Sequence, residues 1–269
     1  MKSNFLLLFC FVLFLSSCSE YQRVLNSDDN TRKYTYADTL YKAGKYKKAL
    51  NLMEQIVPAF RGKPQAQVLM FNYANTLYKL EDYILAGYQF ERFETSFPES
   101  DSVEVASYRA GRSYYELSPI YSLDQKDTYK ALDKLQEFIN KYPNSDYRTD
   151  ANALVSELSL KLEKKDYEVA NQYLRVEDFK AAIGAFDNFV SDHPGSFYRK
   201  QAFFNRFEAA YKLAINSFPS LVEERLITAK GYYKSFLKYY KDSDLQPAAD
   251  EIMADINKRL STTETTSLN

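Results

Sequence analysis

The chain carries one turn motif four times, and this repetition limits the folds available to it more than any other feature. Successive copies begin 45, 51 and 47 residues apart. The copies are Phe97-Pro98-Glu99-Ser100, Tyr142-Pro143-Asn144-Ser145, His193-Pro194-Gly195-Ser196 and Tyr240-Lys241-Asp242-Ser243, followed six residues after each serine by Ala106, Ala151, Ala202 and Ala249. Proline ends a helix because it lacks an N–H donor, and serine can accept from the free N–H groups of the next helix. The motif therefore predicts an array of helix–turn–helix units.

Within the units, small residues recur twelve positions apart, at Ala37 and Ala49, Ala74 and Ala86, and Ala170 and Ala182. Small side chains there let two antiparallel helices approach closely, while aromatic residues fill the space between neighbouring pairs. This spacing resembles the tetratricopeptide repeat. The resemblance predicts an all-α superhelical solenoid of five helix pairs over residues 32–260, with Leu245–Leu260 as a closing helix and residues 261–269 as a disordered tail.

Two copies depart from the common spacing. The third aligns through Ala110 and Gly111 and has about nine extra residues between its helices. The fifth aligns through Ala209 or Ala210, with a similarly long connection that passes through Pro219. We therefore expect longer connections between the two helices of the third and fifth copies.

The N-terminus has the pattern of an exported lipoprotein. Phe5–Leu15 is an unbroken apolar run of eleven residues, too short to span a bilayer but typical of a signal peptide. It runs into Leu15-Ser16-Ser17-Cys18, which resembles the bacterial lipobox. This predicts a signal peptide over residues 1–17, acylation of Cys18 and a flexible tether over residues 18–31. An ordinary secretory signal with an incidental cysteine is the alternative.

Composition argues against catalysis. The 269 residues include one histidine, seven glycines and no phosphate-binding glycine motif, and 35 basic residues balance 36 acidic ones. His193 occupies a turn position where the other copies have aromatic residues, so packing is favoured over metal binding or general-base chemistry. The carboxylate pairs Asp28-Asp29 and Glu223-Glu224 are expected on the solvated surface, because adjacent helical residues do not face each other. We therefore predict no enzymatic activity, no metal, no cofactor and no nucleic-acid partner.

A binding groove is the alternative to a catalytic site. The first helix of each tetratricopeptide pair lines the concave groove, and residues there that the repeat does not need for packing are candidates for partner contact. Tyrosine suits such a surface because it offers a large, rigid contact area with a polar tip. For any one of these residues, packing within the chain is the alternative. The candidates are Tyr34, Asp38, Tyr41, Phe71, Asn75, Tyr78, Tyr114 and Tyr115.

Two stretches resemble a particular family beyond the generic repeat. One runs from Tyr142-Pro-Asn-Ser-Asp-Tyr147 and Asp150-Ala151 through Glu168-Val-Ala170 to Asp178-Phe-Lys-Ala-Ala-Ile183. The other is the third connection, Leu123–Thr128, followed by Ala131-Leu132. Together with the lipobox and five repeats, they resemble the BamD family, the lipoproteins of the outer-membrane β-barrel assembly machinery. The family pattern is broken at residues 171–176, at Phe60–Pro64 and at Lys241.

The resemblance implies a scaffold anchored in the outer membrane of a diderm bacterium by its N-terminal lipid and facing the periplasm. It implies two partners, unfolded outer-membrane β-barrel proteins and the periplasmic domains of the barrel insertase BamA. Asp124 and Gln125, in the expanded third connection, are expected on the insertase side. A different periplasmic repeat lipoprotein, acting as an adaptor for cell-wall synthesis or envelope constriction, is the alternative.

Overall fold

The computed structural model describes residues 20–267, with side-chain surroundings to residue 262. Cys18 and the signal peptide lie outside these residues. Across the described range the regular structure is helical, with one 3-10 turn at Pro58–Phe60 and no strand. The helices are α1 (20–25), α2 (Asn30–Lys42), α3 (Tyr46–Ile56), α4 (Ala66–Lys79), α5 (Tyr83–Ser96), α6 (Val103–Leu117), α7 (Lys126–Lys141), α8 (Arg148–Arg175), α9 (Phe179–Asp192), α10 (Arg199–Ile215), α11 (Pro219–Tyr240) and α12 (Gln246–Ser267).

The helices form two compact units. Unit 1 extends to Pro119 and includes residues 124–158, so it holds the pairs α2–α3, α4–α5 and α6–α7 and the start of α8. Unit 2 consists of residues 120–123 and the chain from Ser159 onward, with the rest of α8 and α9 to α12. The predicted all-α tetratricopeptide-repeat fold is confirmed, and the described residues hold five pairs and a closing helix in the predicted order.

Buried small residues determine how closely the two helices of each pair approach. Six alanines of the twelve-residue pattern are fully buried: Ala37, Ala49, Ala74, Ala86, Ala170 and Ala182. In the third pair, a Cβ on Gly111 would lie 2.9 Å from Leu135 Cδ2, so glycine is required where α6 meets α7. Ala209 and Ala210 are both buried in the fifth pair.

Three of the four turn serines act as the sequence predicts, whereas Ser243 Oγ is buried without a hydrogen-bond partner among the described residues. Ser100, Ser145 and Ser196 each accept a hydrogen bond from the backbone N–H two residues later, at 3.1–3.2 Å. The alanine six residues after each turn serine is fully buried in all four copies. The serine and the alanine therefore fix where each new pair begins.

The N-terminal tether was predicted too long. Residues 20–25 are helical, and Tyr21 and Val24 are only 6% and 1% exposed. Tyr21, Val24 and Leu25 lie on one side of α1 and pack with residues of α2 and α3. Asp29 is exposed, as expected, and it is also the N-cap of α2, accepting from Thr31 N and Arg32 N at 3.0 Å.

Two further boundaries differ from the prediction. The connection between α10 and α11 has only three residues, because Pro219 occupies the first turn of α11 and the extra residues lengthen the helices. Helix α12 continues to Ser267, into the expected tail, since no glycine or proline follows Leu260 to stop it. The long third connection is confirmed, with residues 118–125 between α6 and α7.

Candidate functional site

In the first helix of a pair, an aromatic residue lies three positions before the small residue. Its ring packs against other aromatic rings of the protein. Tyr34 stacks on Phe60 at 5.3 Å between ring centroids, and Phe71 lies 5.2 Å from Phe93. Tyr108 makes the equivalent contact with Phe138 at 5.5 Å. Tyr34 and Phe71, both predicted to line the groove, therefore pack inside their own helix pairs.

The residue four positions after this aromatic residue is polar. It is Asp38 in the first repeat and Asn75 in the second, and both side chains bond within unit 1. Asp38 forms an ion pair with Lys42 at 2.7 Å on the same helix. Asn75 is only 2% exposed, and its Oδ1 accepts from Arg109 Nη1 of the following pair. Asn75 thus joins α4 to α6 and is buried, contrary to the prediction that it faces a partner. Arg109 was missed because its role appears only once the two first helices are side by side.

One turn further along, Tyr41, Tyr78 and Tyr115 are half-buried. Tyr41 meets Tyr46 edge-on at 5.8 Å, and Tyr78 meets Tyr83 edge-on at 5.4 Å. We call Tyr41, Tyr78 and Tyr115 the tyrosine row, since they occupy the same position of three successive repeats. These three keep part of each side chain open to solvent, and of the predicted tyrosines they fit partner contact best.

Hydrogen bonds to carboxylates hold the tyrosines of α6. Burial, together with a hydrogen bond to Glu157, raises the pKa of Tyr115 to about 12. Tyr114 packs so close to Gly87 that a Cβ there would lie 3.0 Å from the ring. Burial and a hydrogen bond to Glu91 raise the pKa of Tyr114 as well, so both hydroxyls stay neutral donors at physiological pH.

A polar cluster joins α6 to the start of α8. Tyr108 donates to Asp150 Oδ2, while Arg112 Nη1 donates to Tyr108 Oη at 2.8 Å and to Asp150 at 3.1 Å. Burial, reinforced by the hydrogen bond to Asp150, raises the pKa of Tyr108 to about 12. Arg112 and Asp150 keep about a third to a half of their side chains exposed, so this cluster forms part of the surface of unit 1.

The two candidate residues of the third connection, Asp124 and Gln125, differ in their exposure to solvent. Asp124 is exposed, and its Oδ1 accepts from Lys126 N at 2.9 Å where α7 begins. Gln125 is 3% exposed, and its Oε1 accepts from Thr128 Oγ1 at 2.7 Å. Gln125 therefore holds the connection from inside, and only Asp124 is placed to meet a partner.

Unit 2 presents an apolar surface that the sequence did not predict. Lys165 Nζ donates to the carbonyl oxygens of Tyr121 and Leu123 at 3.2 and 2.8 Å, which fixes residues 120–123 against α8. Leu123 is 56% exposed despite this restraint. Val169 and Tyr173 share one face of α8 and are also exposed, as is Val176, the first residue after the helix ends; we call these three residues the α8 stripe. A pocket of about 290 Å³ lies beside them, lined by Tyr121, Ser122, Lys165, Glu168, Val169, Gln172 and Arg175.

His193 packs like the aromatic residues of the other turns, as predicted. Its ring lies 4.8 Å from the ring of Phe189, and Nε2 is 3.0 Å from Asp166 Oδ2. Across residues 20–267, no group of three or more histidine, cysteine or acidic side chains is placed to hold a metal ion. No helix in this range is long and apolar enough to cross a bilayer.

The five pairs and their capped turns define a tetratricopeptide-repeat protein. The chain belongs to the YfiO family of outer membrane lipoproteins, whose profile matches residues 26–226. The predicted likeness to BamD is confirmed by two similar proteins, each named outer membrane protein assembly factor BamD. That of Caulobacter vibrioides is 27% identical over 165 residues, 59% of this chain and 53% of that protein. That of Rickettsia prowazekii is 25% identical over 119 residues, 44% of this chain and 47% of that protein.

The chain spans about half the length of these relatives. Among solved structures, the complex of the TPR2AB domain of yeast Sti1 with pHSP90 has a TM-score of 0.41 and 15% identity. That match covers 85% of this chain and 98% of the other.

Proposed function

We propose that this protein is a scaffold of outer-membrane β-barrel assembly, anchored through Cys18 and facing the periplasm. It binds the barrel insertase BamA and unfolded barrel proteins and acts without bond chemistry. Membership of the outer membrane lipoprotein family, with relatives named as assembly factors, carries this proposal. The repeat fold supports it, because stacked helix pairs offer extended surfaces for protein ligands.

The insertase surface is the α8 stripe together with residues 120–123. Exposed apolar side chains that share one helix face favour burial against a partner. The two hydrogen bonds from Lys165 hold the connection in place before binding, which lowers the entropy lost on association. Asp124, the exposed residue that follows this segment in the chain, is a separate candidate for insertase contact.

The substrate surface is the tyrosine row of unit 1, flanked by Asp38 and Arg112. Half-buried tyrosines contribute contact area while their rings stay fixed by packing. Extended segments of unfolded barrel proteins suit such a surface, since main-chain groups and alternate side chains of an extended peptide are both accessible.

Affinity purification from solubilised membranes tests the proposal. Leu123→Glu combined with Val169→Glu is expected to lower insertase recovery at least about tenfold, since charges then enter an apolar interface. Leu160→Glu is the matched control, an exposed leucine of α8 outside the stripe. Unchanged recovery of the insertase with the double variant would exclude this surface as its binding site. Recovery of peptidoglycan synthases without the insertase, or unchanged barrel levels after depletion, would overturn the function.

A further inference from the structure

The first repeat lies close to the point of lipid attachment. Cys18 precedes Tyr21 by three residues, which span at most about 11 Å of extended chain. Tyr21 is buried against α3, where its hydroxyl accepts from Asn51 Nδ2 at 3.1 Å. A lipid on Cys18 would therefore hold α3 within a short distance of the bilayer surface.

The direction of α1 decides which end of α3 comes close. Tyr21 contacts the first half of α3, through Lys48 and Asn51. The chain then continues to α2, where Lys33 Nζ donates to Gln55 Oε1 at the far end of α3. The lipid-attached end of α1 is thus the end beside the turn between α2 and α3.

That turn is basic. Lys45, Lys47 and Lys48 are exposed, and none of them makes an ion pair with another described residue. The ammonium of Lys48 lies 5.1 Å from the centre of the Tyr21 ring. Lys42 is neutralised by Asp38, so the cluster consists of three lysines.

The neighbouring turn adds apolar side chains. One shallow pocket is lined by residues 44–48 and Leu80, so the turn after α4 lies beside the lysines. Ile84 and Leu85, in the first turn of α5, are 66% and 42% exposed. Two acidic residues, Glu81 and Asp82, share this turn, and Asp82 accepts from Leu85 N as the cap of α5. Lysines next to exposed aliphatic side chains are typical of surfaces that contact lipid headgroups.

We propose that Lys45, Lys47 and Lys48 bind anionic phospholipid headgroups and thereby set the orientation of the first repeat on the membrane. This deepens the proposed function, since it rests on acylation of Cys18. The acyl chains supply the anchoring, and the lysines add an attraction of roughly fivefold in binding constant each. The contact limits the directions in which the adjoining repeats can face.

Lysine footprinting tests the proposal on purified, acylated protein, without insertase or substrate. An amine-reactive reagent is applied in vesicles containing phosphatidylglycerol and in vesicles of phosphatidylcholine alone. We expect Lys45 and Lys47 to react about tenfold more slowly in the anionic vesicles, with the difference lost at high salt because exposed charges are screened. Lys234 and Lys241, which are also exposed, should react at the same rate in both.

A double variant separates contact from anchoring. Lys45→Glu with Lys47→Glu should abolish the protection of Lys48 in anionic vesicles, while Lys234→Glu with Lys241→Glu should leave it intact. Both variants should still sediment with the vesicles. Equal labelling of every lysine in both vesicle types would overturn the proposal, as would a mature N-terminal peptide without acyl mass. The labelling result does not depend on barrel assembly, so the headgroup contact can fail while the proposed scaffold function stands.

Discussion

Asn75 accepts a hydrogen bond from Arg109, and this contact links the first helices of two successive repeats. Asn75 is buried, so its Oδ1 loses a water partner, which the Arg109 guanidinium replaces. Asn75→Leu should lower the free energy of unfolding by about 1–3 kcal/mol, because the guanidinium loses its acceptor.

A double-mutant cycle with Arg109→Leu measures this coupling by denaturant unfolding. Asn140→Leu is the control, since Asn140 is exposed and bonds only along its own helix. Additive effects of Asn75→Leu and Arg109→Leu would show that the two side chains do not stabilise each other.

Glycine substitutions should have opposite effects at two helical sites. Gly111→Ala places a Cβ against Leu135 and is expected to destabilise by about 1–3 kcal/mol through overpacking. Gly184→Ala meets nothing within 4 Å and should stabilise by about 0.5–1 kcal/mol, because alanine favours the helix. Thermal unfolding of both variants checks the pair, and two changes of the same sign would contradict the third-repeat register.

The packing of α1 predicts a cost for truncating Tyr21. Tyr21→Ala should destabilise the first repeat by about 2–4 kcal/mol, since a buried aromatic side chain is lost. Trypsin cleavage at Arg23 should accelerate accordingly. Tyr129→Ala, at an exposed tyrosine, serves as the reference and should be neutral. If Tyr21 lay in a free tether, Tyr21→Ala would change neither the stability nor the rate of trypsin cleavage.

Alkaline pH should weaken the joint between α6 and α8. The pKa of Tyr108 is about 12 in the folded chain and about 10 when unfolded, so the unfolded state loses its proton first. The stability that the neutral hydroxyl provides is complete below pH 10 and falls as the pH rises towards 12. Denaturation at several pH values should show a shallower decline in Tyr108→Phe. A decline identical to that of the wild-type chain would exclude Tyr108 as its source.

Membrane attachment should depend on one of the two cysteines. Cys18→Ala is expected to move the protein from the membrane fraction to the soluble one without unfolding it, since acylation is lost. Cys10→Ala, inside the predicted signal peptide, should leave fractionation unchanged. Membrane fractionation with circular dichroism checks both. Retention of Cys18→Ala in the membrane would mean that another contact holds the protein there.

Local pattern reveals more of this fold than of its site. The turn motif and the alanine spacing together place the repeats, because each acts on residues a few positions away. Asn75 shows the limit, since it reads as a groove residue until Arg109 of the next repeat is placed beside it. Tyr21 and Val24 have helical spacing, yet the polar residues around them favoured a tether. The α8 stripe was missed because its exposure depends on what the neighbouring helices leave uncovered.

The self-contained turns have a consequence for how the chain is made. Ser100, Ser145 and Ser196 each accept from the backbone N–H two residues ahead, and each helix pair is assembled largely from contacts close in sequence. Short-range contacts close quickly and do not wait for distant segments. A chain that emerges N-terminus first can therefore complete its early repeats while the later ones are still unavailable, which shortens the time that aggregation-prone aromatic residues remain uncovered.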